Sequence, residues 1–477
     1  MLETKFRIVR FSNPICQALS DYMLVILGNR TFRWICWYLV LLGCLLFLVN
    51  LRNKDNSADY GAINPKIFLF EEINPSIPFG YGQQMPPNCR QLVNKDPDLN
   101  LTTLQSWQPS DDFSDEFLSS LNCSQLFRHY WFPYFAMSRE ELEYPIAYAI
   151  LVHKNANQVV RLLQYIYWPQ NIYCFHVDQN SSLEFERAMV KAISCLPDNV
   201  FLVSKRVTAS WGSTGIIHGA LSCMKDLIGS PVSWKYIQIY SGVDFPLKTN
   251  KQLVQILKTL NGSNDAELVH SQVFRYYYAY FDPIVTFKAI PQGYGRRAVP
   301  PHGIQVYKGS FQATMTREMV NFIITSDISR DYIEWFEKSI FSDEGLWSTM
   351  IHNTHTGAPG TFPGECLQYY QFEKSAKPWI SRYQVWPGST CGGQFRQGSC
   401  VFGLTDVPTL LQKPELCAHK FHADVDPAAT RCLAAALFNR TFYGAPDLTF
   451  NLTYYQNLPS VRFHHMSGEE RRNFTCQ

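Results

Sequence analysis

No glycine loop of the kind that grips a phosphate stands in this sequence. Neither GxxxxGK[ST] nor a GxGxxG after a strand-like run occurs, which argues against P-loop nucleotidases and dinucleotide-binding oxidoreductases. The strained GxSxG elbow of the serine hydrolases is missing as well. Charge is in short supply: 17% of residues are Asp, Glu, Lys or Arg, and the net charge is +2, so nothing resembles the basic footprint of a nucleic-acid binder. Internal repeats and low-complexity tracts are absent too, which excludes solenoids and modular receptors.

In one place the lack of charge is itself the signal. Trp34–Val49 reads WICWYLVLLGCLLFLV, and with Leu51 the segment 34–51 approaches the ~18 residues needed to cross a bilayer. Arg30 and Arg33 precede it, with Lys5, Arg7 and Arg10 further upstream, so the positive-inside rule puts residues 1–33 in the cytosol. A cleaved signal peptide would not carry so long a leading tail. The expected topology is therefore single-pass, type II, with the remainder of the chain in a lumen. Eleven of the 14 cysteines lie beyond the apolar run, as expected where disulfides persist. So do seven N-glycosylation triplets, at Asn100, Asn122, Asn180, Asn261, Asn439, Asn451 and Asn473.

Residues 52–90 are rich in Asn, Pro and Gly and read as a luminal stem, leaving 91–477 as the catalytic domain. Residues 91–143 are mixed, with helical character around Ser114–Phe127. From Tyr144 the pattern sharpens. Strand-like runs at Pro145–His153, Asn171–Asp178, Asn199–Val203 and Trp234–Ser241 alternate with helical spacing at Gln158–Tyr167, Ser182–Cys195, Gly215–Ile228 and Asn250–Leu260. That alternation predicts an α/β fold with a mostly parallel sheet and flanking helices. Ligands of such sheets bind beyond the carboxyl ends of the strands, where His153, Asp178 and Asp244 fall.

Four features carry candidate chemistry. Asp96-Pro-Asp98 and Asp424-Val-Asp426 share the DxD spelling of metal-binding sugar-nucleotide transferases. Neither follows a buried strand of the nucleotide half, so they read as a turn and as a loop or helix start. Ser342-Asp343-Glu344-Gly345-Leu346-Trp347 has two readings: a capped helix N-terminus with acids in its first turn, or a carboxylate base that deprotonates an attacking hydroxyl. Arg396 and Lys420 are either surface charges or, acting together, the groups that neutralise a diphosphate leaving group in place of a metal. Cys391 and Cys400 flank Arg396, and a bridge between them would stiffen its loop.

The ordered runs YPIAYAILVHKNANQVVRLLQYIYWPQNIYCFHVD, ASWG, LSCMKDL, GVDFPLKTN, SDEGLW and CVFG…HKF resemble the β-1,6-N-acetylglucosaminyltransferases, the core 2 and I-branching enzymes, over roughly Cys89 to Cys432. The resemblance implies a GT-A-like fold and inverting, metal-independent transfer of N-acetylglucosamine from UDP-GlcNAc to an O-glycan of a glycoprotein in the Golgi membrane system, with no cofactor beyond the donor. It implies Glu344 as catalytic base, and Arg396 and Lys420 on the diphosphate. His153 and Asp178 would line the uridine site. Glu267, Trp386 and Arg275 would stand on the acceptor side. Cysteine pairs implied in the same way are Cys89–Cys432, Cys123–Cys195, Cys174–Cys223 and Cys391–Cys400. Cys366, Cys417 and Cys476 have no counterpart, which leaves open a free thiol or a link between the chains of a homodimer. Departures at Arg275, Tyr278 and Thr208 bear on the acceptor and on the uridine surroundings. Alternatives are a peptide xylosyltransferase using UDP-xylose and a catalytically inactive glycan-binding relative.

Overall fold

The computed structural model describes residues 67–73, 75–78, 85–269, 298–337, 339, 341–366 and 378–474. The apolar segment 34–51, Arg275, Tyr278 and Cys476 lie outside the described residues. No described helix is long and apolar enough to cross a membrane.

The chain from Ile67 to Gln477 is one compact unit built on a six-stranded sheet. The elements that frame the site, in chain order, are β1 (Ile146–Val152), α1 (Ala156–Ile166), β2 (Ile172–Val177), α2 (Leu183–Ser194), β3 (Val200–Leu202), α3 (Gly215–Ile228), β4 (Tyr236–Ser241), β5 (Asp244–Pro246), α4 (Asn250–Leu260), β6 (Asp265–Ala266), β7 (Ala313–Thr316), α5 (Arg317–Thr325), α6 (Leu346–Ile351), β8 (Arg382–Tyr383), β9 (Gln394–Arg396), β10 (Ser399–Val401), β11 (Cys417–His419) and α7 (Pro427–Phe442). The strand order is β3-β2-β1-β4-β7-β6. Strands β1 to β4 pair in parallel, whereas β7 runs antiparallel to both β4 and β6. The sheet is therefore mixed rather than mostly parallel throughout. The parallel half coincides with the strand–helix alternation visible in the sequence, and β6 and β7 follow no such alternation. A second sheet, β8-β11-β5, stands beside it.

Period-two alternation in the strands sorts side chains to the two faces. Tyr148 and Ile150 of β1 join Tyr173 and Phe175 of β2 in one core with α1, α2 and α4. Ala147, Ala149 and Cys174 face the other way, against α3 and α5. The small residues on that face let α3 approach closely, and Cys174–Cys223 ties it to β2. A bridge closing a loop of this length contributes about 4 kcal/mol in the chain-entropy picture.

Helix starts follow local capping chemistry. Asn155, in the left-handed region, accepts from the Gln158 N–H through its side chain, so α1 begins two residues earlier than its apolar spacing predicts. Around Ser114–Phe127 there are two short helices, Asp115–Ser120 and Cys123–His129. The break falls at Leu121–Asn122, because Asn122 caps the second helix in a capping box with Gln125.

Two ties bind the ends of the unit. Cys89 is bonded to Cys432 of α7. The half-buried Asp111 carboxylate takes Arg161 of α1 at 2.8 Å and Arg431 of α7 at 2.6 Å. Phe68–Leu69 pairs with Phe135–Ala136, so part of the segment that composition marks as stem already lies against this unit.

Candidate active site

The carboxyl ends of β1 and β2 bring His153, Lys154 and Asp178 to one edge. The Asp178 N–H donates to the Val152 carbonyl, which locks the two strand ends in register. Its carboxylate accepts from the Ala209 N–H at 2.9 Å and the Asn180 N–H at 3.1 Å. Partial burial, with Lys154 next to it, lowers the His153 pKa, and Asp178 opposes that shift. The shift favours the neutral ring.

Two cations reach the same edge from distant parts of the sequence. Arg396 lies at the tip of the β9–β10 hairpin, which Cys391–Cys400 closes across its base. Lys420 directly follows β11 and is buried. Burial depresses the Lys420 pKa, and repulsion from Arg396 and Lys154 lowers it further. Lys154, Arg396 and Lys420 therefore converge from three chain segments. The neighbouring His422 is pushed down to about 4, first by burial and then by Lys420 and Lys154. Such a cluster destabilises itself until an anion arrives. Asp424 provides partial relief by pairing with Arg396 at 2.6 Å.

Both DxD spellings have other duties. The Asp98 N–H donates to the Asp96 side chain within a turn. Asp426 caps α7 with one oxygen and takes the Leu404 N–H with the other. The cluster Cys391, Cys400 and Asp406 has its two sulfurs joined as a disulfide.

Glu344 ends a single turn of 3₁₀ helix, Ser342–Glu344, entered through Phe341 in the left-handed region (φ 50°). The buried Ser342 hydroxyl finds no hydrogen-bond partner among the described residues, so it caps no helix. Helix α6 starts only at Leu346, after Gly345, so Asp343 and Glu344 precede the helix instead of occupying its first turn. The Glu344 carboxylate is partly exposed, with the Lys308 ammonium 3.5 Å away.

Glu267 follows β6 and is held close to this turn. Ser348 of α6 donates to the Glu267 carbonyl at 2.7 Å, and the Gly309 N–H donates to the Glu344 carbonyl. A Cβ on Gly309 would lie 1.8 Å from Ser348 Oγ and 2.1 Å from the Glu267 carbonyl, so only glycine lets the two segments meet. Arg382 of β8 pairs with the Glu267 carboxylate at 2.6 Å. Trp386, 46% exposed, stands where the chain leaves β8 toward the hairpin. Between the two groups runs the segment 207–214: Ala209 bonds Asp178, the Gly212 carbonyl accepts from the Phe341 N–H at 2.9 Å, and the exposed Trp211 ring meets Phe341 edge-on at 4.8 Å.

The sequence reading did not single out Lys154, Lys308, Arg382 or Gln312. Lys154 could have been found, because it adjoins His153 at a strand end. Arg382 and Gln312 lie in runs with no motif, and only the tertiary fold gives them partners. Of the cysteines, Cys123–Cys195 is bonded and Cys366 is in a disulfide. Cys417 is a buried free thiol in the central strand of the second sheet, its Sγ donating to the Ser381 carbonyl.

An α/β sheet that gathers cations beyond its carboxyl edge, with carboxylates on an adjoining wall, is a site suited to an anionic ligand. Residues 146–399 match the Core-2/I-branching enzyme family. The chain is 31% identical to the rat "Beta-1,3-galactosyl-O-glycosyl-glycoprotein beta-1,6-N-acetylglucosaminyltransferase 3" over 360 residues, covering 72% of this chain and 80% of the relative. It is 32% identical to the human enzyme of the same name over 379 residues, 75% and 84% of the two chains. A bovine herpesvirus 4 enzyme, "Beta-1,3-galactosyl-O-glycosyl-glycoprotein beta-1,6-N-acetylglucosaminyltransferase", is 33% identical over 323 residues, 65% and 71% of the two chains. The chain belongs to the Core-2/I-branching enzyme family.

Proposed function

We propose that the protein transfers N-acetylglucosamine from UDP-GlcNAc to a 6-hydroxyl of galactose or N-acetylgalactosamine on O-glycans, forming a β-1,6 branch. The reaction inverts configuration and needs no metal. The observation that carries this reading is the convergence of Lys154, Arg396 and Lys420 beside His153 and Asp178, in a family whose members are named for this transfer.

Uridine lies by His153 and Asp178, and the diphosphate displaces Asp424 from Arg396 and rests on Lys420. As the bond from the anomeric carbon to the diphosphate oxygen breaks, charge grows on UDP and these cations stabilise it. Glu344 takes the proton of the acceptor hydroxyl while its oxygen attacks the opposite face of the anomeric carbon. The α donor thus gives a β product. Glu267 and Trp386 hold the acceptor, Trp386 offering a flat apolar face to a sugar ring. Arg275 contributes from outside the described residues. Segment 34–51 anchors the chain in the Golgi membrane, with residues 1–33 cytosolic, 52–90 a stem and the catalytic part luminal, the arrangement such a substrate pair requires.

The test is full-length protein in detergent, in excess chelator, with a panel of UDP-sugars and with core 1, core 3 and lactosamine acceptors. Transfer from UDP-GlcNAc with a β-1,6 product is expected. Transfer from UDP-xylose to peptide would replace this reading with the xylosyltransferase one, and UDP binding without any transfer would favour an inactive glycan-binding relative.

A further inference from the structure

A chain of side-chain contacts runs from the carboxylate proposed for the acceptor to His419, the backbone neighbour of the cation proposed for the donor. Arg382 donates to Glu267 at 2.6 Å through one nitrogen and to the Gln312 oxygen at 3.3 Å through the other. The Gln312 amide nitrogen donates to both oxygens of Asp244, at 3.0 and 2.9 Å. His419 Nδ1 meets Asp244 at 2.7 Å, directly across the β11–β5 register, and the next residue is Lys420. Gln312 is 2% exposed and Asp244 3%. Asp244 is held from a third side by the N–H and hydroxyl of Ser241, at 2.6 and 3.1 Å.

Chemistry fixes the direction of this chain. Charges alternate along it, carboxylate, guanidinium, carboxylate and ammonium, with a neutral amide and an imidazole between them. Gln312 can stand only one way round, since turning its amide would aim an oxygen at the Asp244 carboxylate and an N–H₂ at the Arg382 guanidinium. Buried away from water, such bonds strengthen one another, and any broken one leaves a costly unpaired group. A shift of the backbone at His419 and Lys420 on binding a diphosphate would have a route to Glu267 through these discrete contacts.

We infer that Arg382, Gln312, Asp244 and His419 are positioning residues that couple the two substrate sites, so that a bound uridine diphosphate sets the Glu267 carboxylate for the acceptor sugar. The inference rests on the proposed donor and acceptor roles of Lys420 and Glu267. Its content is a binding synergy: UDP tightens acceptor binding and, reciprocally, acceptor tightens UDP binding by the same factor.

The test uses full-length protein in detergent and calorimetry, with UDP and the p-nitrophenyl glycoside of the core 1 disaccharide as probes. The native protein is expected to bind the disaccharide ~5–20-fold more tightly when saturated with UDP, within the usual range of such couplings. Gln312→Leu keeps the volume and removes the bonds. It should bring that ratio to within about 2-fold of one while leaving UDP affinity alone within about 3-fold of native. Should Gln312→Leu lack a cooperative melting transition, Arg382→Lys, which keeps the charge but cannot span Gln312 and Glu267, reads out the same ratio. A purely structural role would lower the melting temperature without changing the ratio. A native ratio of one, or an unchanged ratio in the variants, overturns the inference while the donor site stands. Absence of UDP binding in the native protein overturns the donor-site reading itself, and the coupling falls with it.

Discussion

At the residue scale, the division of labour rests on Glu344 and the cations. Glu344→Gln removes the proton acceptor while conserving shape, so kcat should fall by ~10²–10⁴ with UDP affinity held, as steady-state kinetics and calorimetry would show. Native turnover by this variant would remove Glu344 from the role of base. Asp424 gives a second test of opposite sign. It pairs with Arg396 at 2.6 Å, so a diphosphate held by Arg396 would compete with it. Asp424→Asn should therefore tighten UDP binding by a few-fold, the scale of an exposed ion pair. Weaker UDP binding in this variant would mean that Asp424 orients Arg396 instead of competing for it.

At the scale of elements, two devices hold the site. The β9–β10 hairpin carries Arg396 and is closed by Cys391–Cys400, a loop short enough that the bridge contributes roughly 2–3 kcal/mol. Cys391→Ser with Cys400→Ser should raise the Kd for UDP and expose the hairpin to limited proteolysis, with little change in the melting of the main sheet. Gly309→Ala, by contrast, forces the Glu267 and Glu344 segments apart, because the new methyl would sit 1.8 Å from Ser348 Oγ. It should destabilise the fold by ~1–3 kcal/mol and reduce kcat beyond what the melting temperature explains.

These elements also mark what the sequence made legible. The parallel half of the sheet was readable, because β1, β2 and β4 are short, largely apolar runs while α1, α2 and α3 carry helical spacing. The antiparallel β7 was not: its four residues, ATMT, do alternate, but over too short a run to mark a strand, and they owe their place to pairing with β4. Residues at strand ends, such as His153 and Asp178, could be placed by rule. Arg382, Gln312 and His419 could not, because each finds its partner more than 65 residues away in sequence.

At the scale of the whole molecule, two histidines held neutral in the fold contribute to the response to acid. Burial pushes His352 down to about 4, and its ring bonds the Phe362 carbonyl; His422 is likewise held near 4. At pH 7 these rings are largely neutral, folded or unfolded. As pH falls from 6.5 toward 4, the unfolded chain takes up protons that the folded chain refuses, so stability is lost through that window. For the fully buried His352 this amounts to about 3 kcal/mol. Asp265, raised to about 6 by burial, works the other way: it binds its proton more readily in the fold, and it offsets one histidine between pH 6 and 4. The net expectation is a melting temperature that falls on acidification below pH 6.5, with a shallower slope in His352→Gln. A slope unaffected by that substitution would place the acid sensitivity elsewhere.

The account depends most on the identity of the reaction. The decisive measurement is to incubate the full-length protein with UDP-GlcNAc, the core 1 disaccharide glycoside and excess chelator, and to determine the product linkage by nuclear magnetic resonance. A β-1,6-linked N-acetylglucosamine, absent from the Glu344→Gln control, is the predicted result. A different linkage, an α product, or a requirement for divalent metal would contradict it.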